Sequence, residues 1–237
     1  MKNLTKLILL TGILLFTVSC MITGVVGSNN VTTETRTITE DFTGIKVSQG
    51  IEIQLTQAKD KSLSIEMDDN LHELLVTEVI DGTLKIYFKE NVNKRKASTI
   101  YLTMPDIKTI KTSSGSEVIG KNTLQTDDLV LDASSGSEIS LRLEATNITA
   151  ESSSGSEINL KGTTNSLLAN SSSGSQIDAD NLIANTVTAK VSSGADINVQ
   201  AKKSITAKAR SGGSIDCNGT PNERVISKSS GGSVRVN

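Results

Sequence analysis

The sequence is poor in aromatic side chains, which make up 2% of its 237 residues, and it contains no tryptophan and only two prolines. Compact cores of this size usually include several large rings. A core without them must be built from small and β-branched residues, as in layered β structures. With Tyr87 and Tyr101 as its only tyrosines, the chain offers few surfaces on which nucleobases could stack, so nucleic acid is not an expected partner.

Histidine and cysteine are also scarce, with one histidine and two cysteines in the sequence. His72 has no evident partner, so the sequence does not support a Ser-His-Asp relay. Cys217 lies two residues after Ile215 on the same side of an expected strand. We predict that it is a small buried residue, with a reactive thiol or a cross-chain disulfide as alternatives. No disulfide framework is expected.

The beginning of the chain has the features of a bacterial lipoprotein signal. An apolar stretch at 7–18 follows two lysines, and a small residue, Ser19, stands before Cys20. The stretch is too short to span a bilayer, which takes about 20 residues. We predict a signal peptide at 1–19 and a lipid on Cys20 that anchors the chain to the membrane, with ordinary secretion as the alternative. The following segment, 20–35, is rich in Gly, Ser, Asn and Thr and predicts a flexible linker.

A Ser-Gly phrase recurs through the second half of the chain at a nearly constant interval. When the copies are aligned on their glycines, the intervals are 21, 19, 19, 20, 18 and 19 residues. A fixed period of this size is typical of solenoid proteins. Because glycine adopts a positive φ without strain, we predict that it forms a sharp corner in each coil. These corner glycines are Gly115, Gly136, Gly155, Gly174, Gly194, Gly212 and Gly231, with Gly50 as an outlying copy.

Apolar residues alternate with polar ones inside each repeat. In LVLDASSGSEISL, Leu129 and Leu131 share one side before the corner, and Ile139 and Leu141 share it after the corner. A period of two indicates strands. Each coil of about 19 residues is therefore expected to hold two or three short strands that pair with their copies about 4.8 Å above and below. Because the spacing drifts and shows no hexapeptide repeat, we predict an all-β, right-handed parallel β-helix.

The region at 36–112 is less regular than the rest. Four of its segments alternate and predict strands: FTGIKVSQGIEIQL, LSIEM, TLKIYF and STIYLTM. A further segment, DNLHELLVTEVIDG, predicts either a helical turn or two strands joined at Asp81-Gly82. We expect 36–112 to form irregular coils that cap the regular repeats of 113–237, so that 36–237 is one continuous domain. A separate small β-domain is the alternative.

The order of these motifs resembles a known family. FTGIKVSQGIEIQL, then DGTLKIYF, then IYLTMPDIKTIKTSSGSEV leading into the Ser-Gly repeats, is similar to the bacterial putative autotransporter-adhesin, head GIN domain family, which is common among lipoproteins of Bacteroidetes. The resemblance covers residues 36–237. It implies a right-handed parallel β-helix and adhesion at the cell surface, and it supplies no catalytic residues.

An acidic residue stands two positions after most of the corner glycines. In stacked coils these side chains would lie about 4.8 Å apart on one face, where a cation would relieve the repulsion between carboxylates. Weak candidates for Ca²⁺ ligands are therefore Glu117, Glu138, Glu157 and Asp196. The simpler interpretation is a solvated ladder screened by salt. The full series is Glu52, Glu117, Glu138, Glu157, Gln176 and Asp196. Neither a firm metal site nor a cofactor is predicted.

Charge is divided unevenly along the repeats. Residues 113–186 carry three basic and ten acidic groups, and residues 187–237 carry eight basic and three acidic groups. The basic groups of the second segment are expected to cluster near the C-terminal end and to favour an acidic surface, a polyanionic glycan or the acidic part of a second copy. The residues concerned are Lys202, Lys203, Lys208, Arg210, Arg224, Lys228 and Arg235.

Three functions are consistent with these features. The preferred hypothesis is a non-enzymatic, lipid-anchored adhesin or surface binding module of the outer membrane, facing either the surface or the periplasm, with an unknown protein or glycan ligand. The alternative is a structural or self-associating spacer of the envelope. A β-helix polysaccharide lyase or glycosidase is less favoured, with the acidic group Asp127, Asp128 and Asp132 as its nearest candidate.

Overall fold

The computed structural model describes residues 23–237, and this part of the chain is built from strands and one 3-10 turn at Asp69–Leu71. Within 23–237 no helix is long and apolar enough to cross a membrane. The predicted signal peptide, 1–19, and the lipidation residue Cys20 lie outside the described residues. The strands are β1 (Val25–Val26), β2 (Val31–Arg36), β3 (Gly44–Val47), β4 (Glu52–Gln57), β5 (Ser62–Asp68), β6 (Leu75–Ile80), β7 (Thr83–Phe88), β8 (Val92–Lys94), β9 (Ser98–Met104), β10 (Thr109–Thr112), β11 (Glu117–Ser134), β12 (Glu138–Ser153), β13 (Glu157–Ser172), β14 (Gln176–Val191), β15 (Asp196–Ala209), β16 (Ser214–Asn218), β17 (Glu223–Lys228) and β18 (Ser233–Val236).

The regular repeats stack as parallel coils in register. Strands β11 to β15 pair with one another in sequence order, and apart from a few register shifts each residue lies over the equivalent residue of the next repeat. The column that begins with Val118 continues through Ile139 and Ile158. The predicted all-β solenoid with coils of about 19 residues is therefore confirmed.

The coils differ from the prediction in one respect, because each contains a nearly continuous strand rather than two or three short ones. Strand β12 runs for 16 residues and bends at Thr146 without losing its pairing on either side. Equivalent corner residues stack above and below it, and the side chain of Thr146 donates to Asp127 (3.4 Å). Since parallel neighbours pair up to each bend, the bend costs almost no backbone hydrogen bonds. From β11 to β15, only the Ser-Gly turns interrupt the strands.

The core is filled by columns of small and β-branched side chains, as the lack of aromatics predicts. One inward column consists of Ile139, Ile158 and their equivalents, and another is mostly alanine, with Ala150 and Ala169 among its members, all fully buried. Cys217 is fully buried over Val199. Burial raises the pKa of its thiol, which keeps it protonated and unreactive.

The N-terminal coils are not stacked in sequence order. Strand β3 pairs with β10 on one side and with β7 on the other, and β4 likewise lies between β11 and β9. The later segment β7–β9 therefore sits beneath β3 and β4. Antiparallel strands then close this end, with β5 on β9, β2 on β5 and β6 on β7. The buried side chains of the N-terminal region and of the regular coils form one continuous cluster.

Part of the segment that the sequence assigns to a linker is ordered. Residues 25–36 contain β1 and β2, and all six residues of β2 pair with β5. A buried carboxylate, Asp68, holds the chain here by accepting hydrogen bonds from the backbone N–H groups of Asn29 (2.6 Å) and Lys96 (2.7 Å). Burial alone would raise the pKa of Asp68, but these backbone donors outweigh it, so the pKa lies below its ordinary value.

Each Ser-Gly corner is a tight turn with two successive positive φ angles. At Ser154 and Gly155 the φ angles are 55° and 71°, and the N–H of Ser156 donates to the carbonyl oxygen of Ser153 (3.3 Å). Two positive φ angles and this closing bond are the features of a type I′ turn. The seven corner glycines have φ angles between 67° and 77°. The serine before each of them is also left-handed, which the sequence does not reveal.

The turns are joined to one another by their backbones. The N–H of Gly136 donates to the carbonyl oxygen of Ser154 in the next coil (3.1 Å), and the N–H of Gly155 donates to that of Ser173 (3.2 Å). The same bond links the outlying Gly50 to Ser114 (2.9 Å). A left-handed serine costs about 1–2 kcal/mol, and this continuous ladder of bonds is what offsets the strain.

A buried serine after each of four corner glycines binds the turn to the coil beneath. The hydroxyl of Ser156 accepts from the N–H of Ser153 (3.0 Å) and lies 2.7 Å from the carbonyl oxygen of Ala133. It also lies 2.8 Å from the hydroxyl of Ser152. In a later coil both hydroxyls are replaced together by apolar groups, Val191 and Ala195. The four buried serines are Ser116, Ser137, Ser156 and Ser175.

Alanine substitutions at two left-handed glycines are expected to differ in cost. At Gly155 an added Cβ meets open space, so Gly155→Ala should cost only the φ strain, about 1–2 kcal/mol. At Gly162, whose φ is 125°, the Cβ would overlap the carbonyl oxygen of Leu143. Gly162→Ala should therefore lower the midpoint of urea unfolding clearly more than Gly155→Ala. Equal midpoints for the two variants would show that the close approach to Leu143 is unimportant.

The paired replacement of hydroxyls can be reproduced in an earlier coil. Ser156→Ala should cost about 1–3 kcal/mol, because it leaves buried backbone groups without their partner. Adding Ser152→Val recreates the Val191 and Ala195 pair and should recover part of that loss through apolar burial. The free energies of unfolding of both single variants and the double variant give the coupling. If the two single losses simply add, the two positions are independent and this explanation is wrong.

Candidate functional site

Two outer faces flank the row of Ser-Gly turns, and both carry ordered columns of polar groups. The face that follows the turns holds the acidic series of the sequence. The structure places Glu117 directly between Glu52 and Glu138, and Glu157, Gln176 and Asp196 continue the same column. We call this column the acidic ladder. Its spacing is set by the coils at about 4.8 Å.

Glu117, the second member of the acidic ladder, has the least favourable surroundings. Glu138 accepts a hydrogen bond from Ser140 (2.8 Å), and Glu52 accepts one from Gln54 (2.9 Å). The equivalent position in the coil of Glu117 is Ile119, which has no side-chain donor. Burial, together with the charges of Glu138 and Glu52, raises the pKa of Glu117 above its ordinary value.

The acidic ladder does not form a metal cage in the described chain. The weak metal candidates, Glu117, Glu138, Glu157 and Asp196, follow one another in a single column. Among residues 23–237 no group of three or more His, Cys, Asp or Glu side chains is arranged to hold a metal ion. A straight column offers a cation carboxylates from one direction only, whereas Ca²⁺ takes six to eight oxygen ligands.

The face that precedes the turns contains a shallow groove of about 640 Å³. Its acidic end is satisfied internally, because Asp132 pairs with Lys111 (3.9 Å) and Glu151 accepts from Asn170 (3.3 Å). Its basic end lies toward the C-terminus. We call this cavity the charged groove, and its principal side chains are Asp132, Glu151, Asn170, Lys190, Lys208 and Arg210.

The basic end of the charged groove is exposed and unpaired. Lys190 and Lys208 are exposed neighbours in register on adjacent coils, and Arg210 follows two residues later. No carboxylate among residues 23–237 forms a salt bridge with any of these three side chains. Like charges directly opposite each other in a sheet are destabilising. An anion between them would relieve that cost.

The basic residues predicted to cluster near the C-terminus are distributed over several sides of the coil. Only Lys208 and Arg210 line the charged groove, together with Lys190, which the sequence reading missed. Arg235 lies on the other face and pairs with Asp216 (3.2 Å). Lys202 and Lys203 stand at a bend, and Arg224 and Lys228 lie in β17, which pairs with β15. Register, rather than position in the chain, decides which charges meet.

The candidate catalytic acids are not brought together in one groove. The carboxylate of Asp128 accepts from Asn147 of the next coil (2.8 Å), as expected of a stacked bend. Asp127 and Asp128 line a different cavity from Asp132. The ring of His72 lies 3.1 Å from Thr32 and 3.2 Å from Glu34, and these contacts hold β2 against the 3-10 turn.

Comparisons with known proteins identify the family and the fold. Residues 41–221 match the family model described as putative auto-transporter adhesin, head GIN domain. A putative adhesin from Bacteroides fragilis NCTC 9343 superposes with a TM-score of 0.85 at 26% identity, covering 90% of this chain and 100% of that one. No curated protein matches the sequence.

Two more distant structures share the fold. A putative lipid binding protein from Parabacteroides distasonis ATCC 8503 has a TM-score of 0.72 at 21% identity, with 90% of this chain and 99% of that chain covered. A putative adhesin from Parabacteroides merdae ATCC 43184 has a TM-score of 0.72 at 19% identity, with 90% and 98% covered. At such identities the likeness concerns architecture alone.

The raised pKa of Glu117 predicts that its ionisation lowers the stability of the folded protein. Its folded pKa is raised above the ordinary 4.5, so the folded state holds the proton more tightly, and stability is lost as the pH rises through the folded pKa. Glu117→Gln removes this loss. The melting temperature of the variant should exceed that of the wild type at pH 7, and the difference should shrink below pH 4.5.

An exposed glutamate outside the acidic ladder provides the matched control. Glu73 is exposed on the loop before β6, so Glu73→Gln should leave the melting temperature close to that of the wild type at both pH values. A Glu117→Gln variant that is less stable than the wild type at pH 7 would contradict the repulsion described for the acidic ladder.

Proposed function

Because the chain belongs to the putative auto-transporter adhesin, head GIN domain family, we propose that it is a non-enzymatic binding module of the bacterial cell envelope. A lipid on Cys20 would hold it at the outer membrane. The family match over residues 41–221 is the observation that carries this proposal. The Ser19-Cys20 junction after a short apolar stretch supports the anchor.

The surface of the coils supports binding rather than catalysis. The two outer faces are long, regular and open, and their polar groups repeat at the spacing of the coils. Enzymes concentrate perturbed acids and bases in one cleft. Here the carboxylates that stand out are spread along a column, and His72 and Asp128 are occupied by contacts within the fold. Regular faces of this kind are suited to an extended ligand.

The alternative role as a self-associating spacer has less support. Strand β17 is exposed throughout, and Val225 and Ile226 on it are 60% and 43% exposed. However, Arg224 and Lys228 occupy positions that are in register with the core residues Ile205 and Ala209. Charged side chains at inward positions are a common device against edge-to-edge pairing. They oppose stacking of a second copy on this end.

Protease shaving of intact cells tests the location that adhesion requires. If the module is displayed on the surface, protease added outside should remove residues 36–237 while a periplasmic marker stays intact. The variant Cys20→Ala should lose incorporation of labelled fatty acid and should leave the membrane fraction. Protection of the domain until the outer membrane is opened would overturn the adhesin role and would direct the search toward periplasmic partners.

A further inference from the structure

The charged groove combines two chemically different ends. At the basic end, Lys190, Lys208 and Arg210 have no salt-bridge partner within residues 23–237, as described above. Two lysines on adjacent coils and a nearby arginine favour binding of a carboxylate or sulfate. The planar guanidinium of the arginine can donate two parallel hydrogen bonds to such a group. At the other end, Asp132 and Glu151 are acceptors that would repel a second anionic group.

Beside the charged column the groove is lined by neutral hydrogen-bonding groups. Ser153, Ser172 and Ser192 line it in three successive coils. The side-chain oxygen of Asn170 is buried without a hydrogen-bond partner in the described chain, whereas its amide nitrogen donates to Glu151. A ligand hydroxyl that reached this oxygen would supply a hydrogen bond that the fold leaves unmade. An extended ligand that lies along the coils meets an equivalent polar group about every 4.8 Å.

The lining excludes two other kinds of anionic ligand. Val191 is the only apolar side chain among the residues that line the groove and is itself buried, so the groove presents no exposed apolar side chain to an acyl chain. No aromatic side chain lines it either, so it has no platform for a nucleobase. The carboxylates of Asp132 and Glu151 also disfavour a uniformly charged polymer, whose next anionic group would fall beside them.

We propose that the charged groove binds an acidic oligosaccharide. The carboxylate or sulfate of one sugar lies between Lys190, Lys208 and Arg210, and the hydroxyls of neighbouring neutral sugars bond to Asn170, Glu151 and the groove serines. This inference rests on the proposed binding function and adds to it a ligand class and a site. The anion also offsets the repulsion between the two lysines, and this relief adds to the free energy of binding.

Binding to a panel of oligosaccharides tests the proposal. Purified mature protein is titrated with uronate-, sialate- and sulfate-bearing oligosaccharides, with their neutral counterparts, and with single-stranded DNA and anionic lipid vesicles. At least one acidic oligosaccharide should bind more tightly than its neutral counterpart, DNA or vesicles. Its affinity should fall as salt is added, and the uronate and sulfate arms identify the anionic group.

Two matched double variants locate the site. Lys190→Gln with Lys208→Gln should weaken binding by about tenfold or more, the loss expected for a hydrogen bond to a charged group. Lys46→Gln with Lys85→Gln removes another in-register lysine pair from the same face and should leave affinity unchanged. The first variant should also keep or raise the melting temperature of the free protein, because it removes repulsion.

Several results would overturn the proposal. These are the absence of binding to every acidic oligosaccharide, equal binding of the neutral counterparts, tighter binding of DNA or vesicles, or equal losses in the two double variants. None of them decides whether the domain is displayed on cells. A protein that fails these titrations but is removed by shaving keeps the proposed surface function and loses only this ligand and site.

Discussion

The structure depends on parallel stacking in register, in which each residue of a coil lies over the equivalent residue of the next. Backbone hydrogen bonds fix this arrangement along the strands and also through the Ser-Gly turns, where the N–H of every corner glycine before Gly231 reaches the following coil. Once register is fixed, every position in the repeat becomes a column. The side chains of a column must then be compatible with the equivalent side chains above and below them, whatever the intrinsic conformational preference of each residue.

This constraint explains why some columns of side chains stabilise the fold and others destabilise it. Columns of isoleucine and alanine stack without cost and fill the core without aromatic rings. The buried serines succeed because each hydroxyl joins its own turn to the coil beneath. Columns of like charge are less favourable, and burial together with the neighbouring charges of Glu138 and Glu52 raises the pKa of Glu117. Along the acidic ladder, Ser140 and Gln54 ease the repulsion, and Ile119 marks the coil where this help is missing.

Much of the fold could be predicted from the sequence because the period and the alternation are local. The positions of the corner glycines and the register of the acidic ladder follow directly from counting residues. Long-range contacts leave no such trace. The stacking of β7–β9 beneath the earlier β3 and β4, and the capture of Asn29 by Asp68, depend on partners many residues away.

The charged groove shows the same limit at the level of the site. A count of charges along the chain assigns the basic residues to one cluster, but register separates Arg235 from Lys208 and brings in Lys190. The left-handed serines were also missed, because serine rarely adopts that conformation without a neighbouring turn to hold it. In both cases the deciding information lies in what stacks on a residue rather than in the residue itself.

The stacked turns also affect how such a chain can change in evolution. One extra residue within a strand would move every following side chain to the opposite face, whereas duplication of a whole repeat adds a coil whose turn bonds to those on either side. The intervals vary from 18 to 21 residues, and pairing resumes after short register shifts such as that at 119–123, so small insertions are absorbed without loss of stacking on either side. The domain can therefore lengthen or shorten by whole coils, and each added coil extends both outer faces by about 4.8 Å.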